Sequence, residues 1–374
     1  MFRVQSRSTR NYLLQLVVVV MCIVAVWAAF HSAKTNLATL GITSGFSFLD
    51  RSTGWGYSFS LLPRSIDDTY SKTLFIGFTN TLFLGLTSIF LSTIFGFIIG
   101  SARNSARLGF QVLSSIYVQI FRNIPLILQL VFLYSVFIHL PGPRQSHSVF
   151  DVVFLSNRGL MLPILNISAW LVLILVIASL VLAFFLFRSQ LTKSKALISW
   201  IAATFAAFVV ASFVATPAGE PALSVPALNG LRFKGGLEIS LELAAMLIAI
   251  VLYGSAYIAE VVRGGLERVP RGQVEAGLAL GLSQRDIWAN IKMPMALRSI
   301  IPPLGNQWIF IMKATTIGVA IGFSDLFMLV STSITQSGQT LELIALLMGA
   351  FLILNFTLAQ FINWLNAHFA LKAH

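Results

Sequence analysis

The chain has 374 residues, of which 57% are hydrophobic and only 10% charged. Water-soluble domains carry about a quarter charged residues, so a chain of this length and polarity must be covered largely by lipid. The formal net charge of +12 does not point to nucleic acid, because the basic residues lie in short loops between apolar runs, where they act as topology signals and anionic-lipid contacts. Only helices or closed barrels satisfy every backbone group in hydrocarbon. The apolar runs are long and lack the alternation of barrel strands, which selects an all-α integral membrane protein. Cys22, the single cysteine, lies inside an apolar run, so no disulfide framework or cysteine metal site arises within one chain.

In chain order, Arg3, Arg7 and Arg10 precede an apolar run from Leu13 to Phe30. That run exceeds the apolar core of about 7–15 residues of a cleavable signal, and His31-Ser32-Ala33 is a poor cleavage match, so it reads as an uncleaved first span. A spanning helix needs about 20 apolar residues, and eight segments qualify: 12–30, 74–100, 114–140, 161–187, 196–216, 238–262, 300–328 and 342–366. The third is complicated by Arg122 and Pro125, the sixth by Glu242 and the seventh by Lys313. The segment 32–71 is a long outer loop whose Gly54-Trp55-Gly56-Tyr57 suits an interfacial belt, and 141–160, opened by Pro141-Gly142-Pro143, is a second outer loop. Most Lys and Arg fall in the segments that are inside when the N-terminus is inside, which places both termini in the cytoplasm.

The inner loop from Arg263 to Ser299 is the most informative stretch. Pro270 and Gly272 open a short helix that runs through Glu275 to about Leu280, and Gly281 supplies a left-handed helix end. Ser283 starts a second helix with Asp286 three residues on, in the manner of a capping box. Ile287, Trp288 and Ile291 fall on one face of it, and Pro294 is expected to stop it. The expected product is a compact knob of two short helices below the membrane. Glu275-Ala276-Gly277, three residues, Gly281, nine residues and Ile291-Lys292-Met293-Pro294 resemble the EAA loop of ABC-importer permeases. Gly277 stands where that motif has alanine and Met293 where it has leucine; the glycine should loosen the first helix by about 1 kcal/mol. The resemblance implies that segment 271–294 docks on a separate ATP-hydrolysing subunit and transmits its closure. The competing reading is an amphipathic connector on the bilayer surface, but the charges here are mixed rather than basic.

Further stretches are similar to the polar amino-acid branch of that family: Asn80-Thr81-Leu82, Arg103, Phe121-Arg122-Asn123-Ile124-Pro125-Leu126 with Gln129, Tyr257 to Gly265, Pro302 to Asn306, and Lys313-Ala314-Thr315-Thr316. They imply a five-span permease core over 72–140 and 237–370, with an extra N-terminal span (1–31), an outer loop (32–71) and a two-span insertion (141–236). This layout resembles the larger permease subunits of general L-amino-acid uptake systems in Gram-negative bacteria. The implied partners are a cytoplasmic ATP-binding subunit in two copies, a second related permease, a periplasmic amino-acid-binding protein and inner-membrane lipid, with no nucleic acid and no cofactor.

Lys313 lies ten residues beyond Pro303, about 15 Å along a helix and hence near the bilayer centre. A lysine there costs a few kcal/mol unless paired or wetted. Two readings stay open: it lines a translocation pathway with Asn306, Thr315 and Thr316, or it pairs with Glu242 or Asp325. Arg122 is expected to snorkel, Glu260 and Arg263 to form an i,i+3 pair, and Pro302-Pro303 to break or cap the start of span seven. Glycines 77, 85, 96 and 100 allow close helix approach. No GxxxxGK[ST] phosphate loop, GxSxG or HExxH occurs, and the five histidines have no metal-ligand spacing. The chain therefore reads as a transport subunit and not an enzyme. An ion-coupled secondary transporter is the alternative; it would want several midplane carboxylates, and Glu242 is the one plausible candidate.

Overall fold

A computed structural model describes residues 4–39, 45–189, 192–217, 219–230 and 232–369. Arg3 and Lys372 lie outside them. Six single helices are long and apolar enough to cross a membrane: Asn11–Ala29 within α1 (Val4–Thr39), α2 (Tyr70–Arg103), Trp170–Arg188 within α5 (Ala169–Arg188), Ser194–Val214 within α6 (Lys193–Val214), α7 (Leu241–Glu267) and Thr340–His368 within α12 (Thr340–Phe369). Two bent pairs raise the number to eight among the described residues. The expectation of a predominantly helical membrane protein therefore holds, and three of its details are corrected.

The third span is not one rod. α3 (Leu108–Asn123) and α4 (Leu126–Ile138) meet at a bend of 100°. Pro125 has no N–H to continue the first ladder and starts the second, its carbonyl accepting from Leu128 N and Gln129 N. The freed carbonyls of Phe121 and Ile124 accept from Gln129 Nε2 at 3.0 and 2.8 Å, so a side chain from α4 caps α3.

The fourth span begins at Ala169 and not near 161, with Ser168 Oγ accepting from Leu171 N as its N-cap. The preceding residues are strands, as are those between α6 and α7. β1 (His147–Val149), β2 (Val153–Ser156), β3 (Gly159–Leu162) and β8 (Leu237–Ile239) make an antiparallel sheet in the order β1-β2-β3-β8, with Met161 opposite Glu238. β4 (Ile164–Leu165) pairs with β5 (Leu223–Ser224), and β6 (Ala227–Asn229) with β7 (Arg232–Lys234). The segment 141–160, expected to be an outer loop, is thus partly folded. Its strands are two to four residues long, too short for a period-2 pattern to stand out.

The seventh span starts earlier than expected and is a bent pair that runs on to Ser337. α10 runs Met293–Ala314 with Pro302 and Pro303 inside it, so these prolines neither break nor cap its start. A 3₁₀ stretch, Thr315–Ile321, follows and ends at Gly322 with φ 73°. α11 (Leu326–Ser337) then leaves at 47°, capped by Asp325 Oδ1 accepting from Met328 N at 2.8 Å.

The chain forms two compact units, Met1–Ser115 with Tyr257–His374, and Ile116–Ala256. In the first, Phe48, Tyr70, Leu74, Leu326, Val330 and Leu343 build one core cluster, and Tyr57, Ile76 and Leu329 another. α2 packs against both α10 and α11 in this unit. A Cβ on Gly77 would lie 3.0 Å from Leu326 Cα, and one on Gly100 would lie 2.6 Å from the Ala259 carbonyl, so both glycines mark true backbone approach. The segment that precedes α2 is held there as well. Asn80, fully buried, accepts from Leu61 N at 3.0 Å and donates to Phe59 O at 3.2 Å and Ser324 O at 2.7 Å. In the second unit, α5 and α6 form a hairpin bound by a Ser179–Thr204 hydroxyl contact of 2.8 Å and by Trp200 Nε1 donating to Ser179 O. The hairpin's other surfaces are apolar and exposed, which suits lipid or a membrane partner.

Candidate functional site

The knob at 271–294 is built from local rules first. α8 (Arg271–Ala279) starts after Pro270, and Gly281 takes φ 74°. Leu282 N donates back to Gly277 O at 3.1 Å and Gly281 N to Leu278 O at 2.9 Å, so the carbonyls of the last turn find donors. Ser283 Oγ then accepts from Asp286 N at 3.2 Å and opens α9 (Gln284–Ile287). The Asp286 carboxylate is held by the Ser283 hydroxyl at 2.6 Å, a variation on the expected capping box.

Two expectations fail here. Pro294 does not stop the second helix: α9 passes through a π turn, Trp288–Lys292, straight into α10. The wider i→i+5 turn, with Met293 N donating to Trp288 O, sits immediately before the residue that cannot donate. Trp288 does not share the packed face either. Ile287 is buried and Ile291 half-buried, whereas Trp288 is 44% exposed.

Gly277 is buried and does more than loosen its helix. A Cβ there would meet Ile291 Cδ1 at 2.9 Å and Ile287 Cγ1 at 3.1 Å, so the missing side chain brings the two short helices together. Glu275 and Ala276 face solvent, and Leu278, Leu280, Leu282 and Trp288 make an exposed apolar surface on the knob. Large apolar groups gathered outside a membrane span mark a contact surface.

Two open clefts lie between the knob and the C-terminal end of α2. One, of about 770 Å³, is lined by Ser101, Asn104, Val274, Ile287 and Trp288 among others; the other, of about 690 Å³, by Asn104, Glu267, Arg271 and Glu275 among others. Between them Lys292 Nζ donates to Asn104 Oδ1 at 2.5 Å. Beside this tether the expected Glu260–Arg263 pair is present at 2.5 Å but belongs to a larger chain of charges. Arg103 also pairs with Glu260, and Arg263 reaches Glu267 at 2.5 Å. Nothing in the spacing of Arg103 and Glu260 advertised that pairing. Asn104 and Lys292 were likewise missed, and a polar residue just past a span end is the one signal that singles out Asn104.

Asn306 and Lys313 are both exposed and seven residues apart, hence on one face of α10. Phe310 lies on the same face and stacks with Tyr257 at 6.4 Å. Thr315 is fully buried and donates to Met312 O, and Thr316 donates to Lys313 O, so both hydroxyls are engaged by their own helix. Among the described residues no ion pair joins Lys313 to Asp325. Asp325 is instead committed to capping α11. Glu242 occupies the first turn of α7, where its carboxylate contacts the Tyr134 hydroxyl. Arg122 is exposed in the last turn of α3. No group of three or more His, Cys, Asp or Glu among the described residues is arranged to hold a metal ion.

The chain is thus an apolar multi-span helical protein with a folded knob that exposes an apolar surface. Residues 196–370 match the family of binding-protein-dependent transport system inner membrane components. The putative amino-acid ABC transporter permease YhdX of Escherichia coli is 39% identical, over 97% of this chain and 95% of its own length. The general L-amino acid transport system permease AapQ of Rhizobium johnstonii is 34% identical over 97% and 92%. The chain belongs to this family, the inner-membrane permeases of ABC importers. Solved structures of an amino-acid ABC transporter with histidines and of the inward-facing MetNI methionine ABC transporter are similar to it over 80% of this chain and 95% and 97% of theirs, at 17% and 15% identity with TM-scores of 0.48 and 0.47. It is thus a multi-pass inner-membrane transport subunit that works with an ATP-binding subunit and a solute-binding protein. The ion-coupled alternative is set aside.

Proposed function

We propose that the chain forms one half of the membrane path of an importer for L-amino acids of broad or polar type, with the knob at 271–294 as the seat of the ATP-binding subunit. The full-length similarity to AapQ and YhdX supports the solute class. The observation that carries the coupling role is the knob itself: Gly277, Ile287 and Ile291 make its interior, and Leu278, Leu280, Leu282 and Trp288 offer an apolar outer face. A rigid body of this kind passes on a displacement that a flexible loop would absorb. The resting complex has two ATP-binding subunits and a second, related permease, because one five-span core cannot enclose a path alone. Both termini face the cytoplasm. The core spans 72–140 and 237–370, and the additions at 1–31, 32–71 and 141–236 lie outside it. Asn306 and Lys313 face the solute route, with Thr315 and Thr316 setting the backbone there, and Glu242 is a further candidate residue of that route.

Binding of ATP closes the ATPase pair, the seated knobs move together, and the spans turn from inward- to outward-facing; the solute-binding protein then delivers a zwitterion to the polar face of α10. The test is capture of the ATP-binding subunit by the purified permease pair. Substituting Glu275→Ala with Trp288→Ala should abolish capture and ATP-dependent uptake of amino acids into proteoliposomes. Unchanged capture by the double variant would end the coupling role, and absence of amino-acid uptake by the parent would end the solute assignment.

A further inference from the structure

Motion of the knob reaches the spans by two physically different routes. α10 follows it through the backbone, because α9, the π turn and α10 form one unbroken helical path from Gln284 to Ala314. α2 is remote in sequence and can follow only through noncovalent contacts. Its inner end carries three consecutive devices. Gly100 lets the backbone touch α7 at Ala259 and Val262. One turn on, the Arg103 guanidinium pairs with Glu260, whose other oxygen holds Arg263 at 2.5 and 3.1 Å. Arg103 Nε also reaches Ser115 Oγ at 3.4 Å. Asn104, at the helix end, accepts the Lys292 ammonium from the knob.

The Arg103 and Glu260 side chains are only 15% and 30% exposed. Half-buried charges are tolerated when each finds an opposite partner, and losing one partner leaves the other uncompensated. That makes the junction stiff rather than sticky. The far end of α2 is equally committed. Asn80 grips the segment before α2 (residues 45–69, the outer strap) at Phe59 and Leu61 together with Ser324, and Thr81 Oγ1 accepts from Leu326 N at 2.9 Å. From Asn80 to Asn104 the helix measures about 36 Å, more than the ~30 Å hydrocarbon core. α2 is thus a rod latched to the knob inside and to α11 and the strap outside.

We propose that Asn104 and Arg103 are positioning residues that carry the knob's displacement to α2, a second transmission route beside the covalent one through α10, and that this route moves the outer strap. The inference rests on the coupling role of the knob proposed above. Its test is the uptake of amino acid per ATP hydrolysed by the complete complex, with both permeases, ATP-binding subunits and solute-binding protein, in proteoliposomes. Asn104→Leu and Arg103→Gln should each lower uptake per ATP about tenfold while ATP hydrolysis continues. Asn104→Asp, which keeps an acceptor for Lys292, should restore at least half of the parent ratio. An unchanged ratio in both Asn104→Leu and Arg103→Gln would overturn the inference while leaving the importer reading intact. Parallel loss of hydrolysis and assembly in Asn104→Leu that Asn104→Asp shares would also overturn it, since that is the signature of a merely structural contact. A parent complex that shows no ATP-driven uptake would refute the importer reading itself.

Discussion

A methyl group added at Gly100 is the sharpest available probe of the α2–α7 contact. The new Cβ would lie 2.6 Å from the Ala259 carbonyl oxygen and 2.7 Å from Val262 Cβ. An ordinary C···O contact is about 3.3 Å or more, so the two backbones must separate by roughly 0.7 Å, and no flexible side-chain end can absorb the difference. Overpacking of this kind costs about 1–3 kcal/mol, and replacing glycine by alanine inside a helix returns about 1 kcal/mol. The net expectation for Gly100→Ala is a loss of up to about 2 kcal/mol, enlarged by any displacement of the Arg103–Glu260 pair one turn away. Two controls isolate the steric part. At Gly85 the new Cβ would meet Met312 Sδ at 2.5 Å, the end of an adaptable side chain, so Gly85→Ala should be near neutral. At Gly264 nothing lies within 4 Å, so Gly264→Ala should be neutral or slightly stabilising. Half-lives of the detergent-solubilised complex at a raised temperature rank the three variants. If Gly100→Ala lasts as long as Gly264→Ala, the close approach of α2 and α7 is refuted.

Three other expectations follow from single contacts. Gln129→Leu leaves the carbonyls of Phe121 and Ile124 without their side-chain donor, at about 1–3 kcal/mol for each group left unsatisfied; the melting temperature of the purified chain should drop, and protease should cut between α3 and α4. Lys313→Met should reduce uptake yet leave subunit assembly intact, as read by co-purification and transport of labelled amino acid; full transport would remove Lys313 from the route. The third concerns pH in the outer strap. Lys72 Nζ at 2.7 Å and Ser65 N at 2.8 Å hold the Asp68 carboxyl below its ordinary range. A carboxyl depressed on folding lends stability above its unfolded value, and that stability is lost as pH falls through the folded value. Proteolysis of residues 52–69 should therefore accelerate on acidification, and Asp68→Asn should show fast cleavage at neutral pH with little further change in acid.

The knob shows which features are legible in a one-dimensional pattern. Gly281 adopts φ 74° and Ser283 caps α9 as their residue types and neighbours dictate, because a cap is satisfied within three or four residues of itself. Prolines obey local rules less faithfully. Pro125 does interrupt a helix, and its two-sided repair by Gln129 makes the bend sharp. Pro294, Pro302 and Pro303 lie within continuous helix, because a π turn precedes the first and packing of buried Ile300, Leu304 and Ile311 holds the helix around the other two.

Hydropathy alone determined that the chain crosses a membrane as helices, and roughly where, since burying some twenty apolar residues in lipid needs no partner segment. The motif spacing from Glu275 to Pro294 identified the family for the same reason: a short, doubly capped unit keeps its shape wherever it sits. Tertiary structure decided the rest. Arg103 lies 157 residues from Glu260 and Asn104 188 residues from Lys292, and Gly277 became a packing site only once two isoleucines from the next helix reached it. Charges and glycines look alike in a sequence whether they face lipid, water or one another, and only the folded path selects which neighbour each one meets.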